Sequence, residues 1–116
     1  MARLLAALLA TSLACGAAAS ERTFSLDAGT GTAPPPHDVL RVAQGDVVVM
    51  NFTARQAGEI HLHGYRLVAK VDPARTAQWK FTAHATGRYR LEWHAAGEPS
   101  TRHHAPPLSI LEVVPR

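Results

Sequence analysis

The chain of 116 residues has one cysteine, Cys15, and two methionines, Met1 and Met50. A lone cysteine excludes an internal disulfide, so the fold must stand on its apolar core. Blocks of like charge are also missing. Lys and Arg number 12 against 9 for Asp and Glu, they are interspersed, and the formal net charge is +3. Such mixing argues against nucleic-acid binding, which needs a basic stripe. No window shows sustained 3.6-residue periodicity, so amphipathic helices are not the framework. No Ser/His/Asp order or spaced carboxylate pair is present, and "GTGTAP" (29–34) has no helix behind it to cradle a phosphate. The chain therefore reads as non-enzymatic.

The first twenty residues, "MARLLAALLATSLACGAAAS", combine an early Arg3, an apolar run from Leu4 to Leu13, and small residues with Ala17 and Ala19 in an A-x-A pattern. This is the layout of a secretory signal peptide, residues 1–19, cut near Ala19. The run is too short for a membrane-spanning helix. Cys15 after "SLA" offers a second reading, a lipid-anchored chain, although serine is a poor fit where leucine is usual. Cleavage at Ala19 leaves residues 20–116 without a thiol, in a periplasmic or secreted setting.

Short apolar runs punctuated by Gly, Pro and Asp fill the remainder. "TFSLD" (23–27) alternates. "VLRVAQGDVVVMNFTA" (39–54) reads as two strands joined by "AQGD", with "VVVMNF" apolar on both faces as if buried between two layers. "IHLHGYRLVAKV" (60–71) is interrupted at Gly64, suggesting a bend. "TAQWKFTA", "RYRLEW" (88–93) and "LSILEVV" complete seven or eight strands at roughly ten-residue spacing. The expected fold is one all-β Greek-key sandwich over residues 20–116.

All seven histidines, at 37, 61, 63, 84, 94, 103 and 104, follow the leader. His61 and His63 share a strand face, about 6.6–7 Å apart along it, so their rings can lean onto one ion. His37 and His84 fall in turns and read as solvated. Glu92 and Glu98 are candidate acceptors for a ring N–H.

Taken in order, "VAQGDVVVMNFTA", "HLHGY", "WKFTAHATGRYRLEWH", a histidine-bearing loop and "LSILEVVP" resemble the cupredoxins. The similarity covers residues 39–115 and is nearest to the domains related to nitrous oxide reductase and cytochrome oxidase subunit II. It implies a copper site drawing one histidine from the H-G-Y strand, with a cysteine, a second histidine and often a methionine from the last loop. His63 matches the first ligand. The cysteine position falls on Trp93, with His94 beside it. The second histidine falls on His103 or His104. The methionine position, near Pro107 or Leu108, holds no sulfur.

A blue-copper centre needs a thiolate, so that centre is excluded. The expectation is an all-imidazole metal site formed by His63, His61, His94, His103 and His104, gathered at one pole of the sandwich. Imidazoles suit copper, zinc and nickel, and the Irving–Williams order favours Cu(II). The implied role is metal handling or slow redox by a monomer serving a redox or metal-delivery protein partner. The competing expectation is a metal-free cupredoxin-like interaction module.

Overall fold

Alternating apolar and polar residues, cut by turn formers, fold as eight strands in the computed structural model, which describes residues 16–28, 39–98 and 107–116. They are β1 (Glu21–Asp27), β2 (Val39–Ala43), β3 (Val47–Thr53), β4 (Gly58–Leu62), β5 (Leu67–Val71), β6 (Ala77–Thr82), β7 (Gly87–Ala95) and β8 (Ser109–Val114). No helix occurs among the described residues. The leader through Cys15 lies outside them, as do His37, His103 and His104.

Two sheets pack face to face. One has the order β1-β3-β6 and the other β2-β8-β7-β4-β5. β1 runs parallel to β3 and β2 parallel to β8, while all other pairs are antiparallel. This is the expected all-β sandwich with Greek-key connections. From the first sheet Val48, Met50, Phe52 and Trp79 enter the core, with Trp79 edge-on to Phe52 at 4.8 Å. Ile60, Leu62, Leu91 and Leu111 enter from the second and are sealed from solvent. Truncating any of these to alanine costs about 2–5 kcal/mol.

Three details differ from the sequence pattern. β1 starts two residues before "TFSLD", because Ser20 C=O accepts the Val47 N–H at 2.9 Å and pins the strand's entry. β3 lies in a three-stranded sheet and gives only one face to the core. Its other face carries Val47, Val49 and Asn51, and Val49 is shielded within its own sheet, where Thr23 and Lys80 flank it in register. β7 continues past Trp93, so His94 lies inside a strand. Pairing with Glu59 across β4 is what extends it.

Gly64, at φ 88°, turns the chain between β4 and β5. A Cβ there would stand 2.5 Å from the Tyr89 ring. Tyr65, Phe81, His84 and Tyr89 cluster nearby, with ring centres 4.8–5.2 Å from Tyr65. Tyr65 and Tyr89 both donate to the Ala85 carbonyl at 3.0 Å. Partial burial pushes the Tyr65 phenol up, partly offset by that hydrogen bond.

Candidate metal centre

Strict alternation decides which side chains leave the core. Along β4, Gly58, Ile60 and Leu62 point inward and are buried, so Glu59 and His61 point to solvent. Along β7, Leu91 and Ala95 are buried on the inner face, so Arg90, Glu92 and His94 point outward. His63 stands one residue past β4. Its N–H still donates to Arg90 C=O at 3.0 Å, so it keeps the outward phase. Register then does the gathering, with Glu59 opposite His94 and His61 opposite Glu92.

Three imidazoles and two carboxylates thus share one patch on the outer face of the five-stranded sheet. The His61 and His94 ring centres are 4.8 Å apart, and those of His61 and His63 are 6.3 Å apart. His61 Nε2 lies 3.0 Å from Glu59 Oε2. His63 Nε2 lies 3.0 Å from Glu92 Oε2, and the same oxygen is 3.5 Å from His94 Nε2. Arg90 Nε donates to the other Glu92 oxygen at 3.0 Å. Partial burial pushes the Glu92 carboxyl up, but the bonds from Arg90 and His63 outweigh it and hold it below the usual range. An open cleft of about 470 Å³ begins beside His94 and Glu59 and is bounded by Lys70, Arg75 and Glu98.

The structure brings together His61, His63 and His94 and places them on the sheet face rather than at a pole. Antiparallel pairing is the reason: the end of β7 meets the start of β4, not its end. His103 and His104 lie outside the described residues. His84 is exposed near Tyr65, away from the patch. Glu92 is in the cluster, while Glu98 lines the cleft. Glu59 was missed by sequence reasoning, yet its signal was present, since it stands two positions before His61 on the same strand face.

The donor set separates two kinds of copper site. At Trp93, where the resemblance places a cysteine, an inward-facing indole packs on Gly58, whose added Cβ would meet it at 2.4 Å. Its Nε1 is buried and has no hydrogen-bond partner among the described residues. A thiolate-based centre does not fit these residues. Imidazole donors suit a divalent ion in their chemistry. An ion about 2.0–2.1 Å from each Nε2 lies roughly 3.2 Å from each ring centre, so rings about 90–180° apart around it stand ~4.5–6.4 Å from one another. The two pairs that include His61, at 4.8 Å to His94 and 6.3 Å to His63, fall within that range. As the side chains stand, carboxylates engage Nε2 of His61 and His63, and among the described residues no group of three or more His, Cys, Asp or Glu side chains is placed to hold a metal ion.

No sequence-family model and no curated protein sequence matches the chain. Solved structures do. A laccase from Pediococcus acidilactici aligns with a TM-score of 0.62 at 15% identity, over 82% of this chain and 26% of that one. A multi-copper oxidase from Pseudomonas thermotolerans gives 0.58 at 16% identity, over 85% and 31%. The blue copper oxidase from Nitrosomonas europaea gives 0.56 at 20% identity, over 83% and 39%. The fold is cupredoxin-like. The chain spans less than half the length of each of these structures, and at such identities the likeness speaks to the fold alone.

Proposed function

We propose that this is an exported cupredoxin-like protein that holds a divalent metal, Cu(II) foremost, through His61, His63 and His94. The observation carrying the proposal is the outward-facing patch on which the three rings gather, His61 standing 4.8 Å from His94 and 6.3 Å from His63. The role is metal handling or slow redox, without catalysis, by a monomer that exchanges metal or electrons with a protein partner. Copper there would supply a nitrogen-rich centre lacking sulfur covalency. The chain's part is to free each Nε2 from its carboxylate and present its lone pair to the ion, with any proton on the ring carried at Nδ1. Glu59 and Glu92 then orient the rings or complete the donor set. Exposed Val68, the cross-strand neighbour of His61, gives a partner an apolar foothold beside the site.

The test is calorimetric and spectroscopic titration of metal-free protein with Cu(II). The expected result is one equivalent bound, with a tetragonal nitrogen-rich paramagnetic resonance spectrum and no intense blue band. A second reading, a metal-free interaction module, draws on the engagement of the imidazoles with carboxylates. Failure to take up Cu(II) or Zn(II) would favour it.

A further inference from the structure

Asp46 is the only buried charged residue among the described residues, 3% exposed, and it sits in the tight turn between β2 and β3. Its Oδ2 accepts the Ala43 N–H at 2.9 Å and closes the turn. Its Oδ1 accepts the Ser20 N–H at 3.1 Å and the Ser20 hydroxyl at 3.3 Å. The Arg116 guanidinium also pairs with Oδ1. Ser20 cannot drift from this carboxylate, because its C=O accepts the Val47 N–H at 2.9 Å at the head of the β1–β3 ladder. A backbone nitrogen is therefore aimed at a nearly sealed anion.

The residues just before it are the A-x-A run. Residues 16–20 are all exposed, and Arg116 Nη1 holds the carbonyls of Ala17 and Ala18 at 3.2 and 2.8 Å. The A-x-A run thus lies open on the surface, immediately before the Ser20 nitrogen that Asp46 holds. We infer that the Ala19–Ser20 bond is the processing site, and that Asp46 is a preformed receptor for the α-ammonium group which cleavage creates on Ser20.

The covalent step is a hydrolysis by an export-linked endopeptidase. Water adds to the Ala19 carbonyl carbon and the C–N bond breaks. Ala19 leaves with the leader as a carboxylate. Both hydrogens of the water end on the Ser20 nitrogen, which becomes an ammonium. A single N–H donor is replaced by three with a positive charge, at the same distance from the Asp46 carboxylate. Charge-assisted bonds of this kind are roughly twice as strong as neutral ones. Arg116 loses the Ala17 and Ala18 carbonyls and keeps Asp46 and the Gln44 carbonyl, 3.0 Å from its Nε. Maturation thereby tightens the end at which β1 joins the sheet.

The inference rests on the export reading and is independent of metal binding. Its test is to express the full chain in an exporting bacterium, recover it from the periplasm and measure its intact mass. The Ser20 amine is then titrated by NMR after isotopic N-methylation. The expected first residue is Ser20, with an amine that titrates above the ordinary α-amino range of about 7.7–8.0. Nα-acetylation is expected to lower the melting temperature by about 4–8 °C. Asp46→Asn should return the amine to its ordinary range, and the measurement on unaltered protein stands even where that variant does not fold. An amine titrating in the ordinary range overturns the receptor role. A first residue elsewhere, or a lipid on Cys15, overturns the inference but leaves export intact. An uncut chain in the cytoplasm overturns both.

Discussion

Glu92 Oε2 and His63 Nε2 are 3.0 Å apart, joined across 29 positions of chain by the β4–β7 pairing. The same oxygen reaches toward His94 at 3.5 Å. One carboxylate thus sits between two rings, with Arg90 fixing its other oxygen. Removing it changes how the rings are held without touching the core.

Glu92→Gln should weaken Cu(II) binding by about 10–100-fold, the usual effect of deleting an orienting partner of a ligating ring. Isothermal calorimetry on metal-free protein measures it. Unchanged affinity would show that the rings orient themselves.

His61→Ala, His63→Ala and His94→Ala should each lower Cu(II) affinity by at least about 100-fold and change melting temperature little, because each side chain leaves the core. His84→Ala should leave affinity unaltered, since that ring sits against Tyr65. Equal loss in all four would point to nonspecific chelation.

Trp93→Cys should not produce a blue-copper band with Cu(II). Position 93 faces inward on β7, whereas His61, His63 and His94 face outward, so the thiolate and the imidazoles stand on opposite sides of one sheet. Visible absorption after copper addition tests this, and an intense blue colour would refute the placement.

Gly58→Ala should destabilise the protein by about 3 kcal/mol. An added Cβ meets the Trp93 ring at 2.4 Å and the His94 carbonyl oxygen at 2.5 Å, and the carbonyl belongs to a paired strand with little room to yield. Urea denaturation followed by tryptophan fluorescence reads the change.

Acid stability should depend on Asp46. The Ala43 amide, then the Ser20 amide, hold its carboxyl below 3.8 against the opposing effect of burial, with Arg116 and the Ser20 hydroxyl assisting. A depressed native value means the stabilisation is complete above the unfolded value and disappears as pH falls through the native one. Circular dichroism between neutral pH and pH 2 should show a steeper acid limb for the unaltered protein than for Asp46→Asn.

The fold was legible because two-residue alternation and turn residues recur along the chain, and "AQGD" and Gly64 became the expected turns. The site was legible in part. His61 and His63 share a face by their spacing alone, and Trp93 facing inward already required His94 to face out. What spacing could not supply was register. Only the pairing of Glu59 with His94, and of His61 with Glu92, gathers the rings on the sheet's broad face and adds Glu59 to them. The Ser20–Asp46 contact was hidden for the same reason, since it depends on β1 joining β3 in parallel, 26 positions away.

The second sheet is closed on one side by β2 lying parallel to β8, and the Arg41–Glu112 ion pair along that seam spans 71 positions. A seam of that span cannot form until β8 has been synthesised, and loop closure over such a distance is slow. The five-stranded sheet therefore stays open along that edge, with β2 unpaired in it, until the last strand arrives.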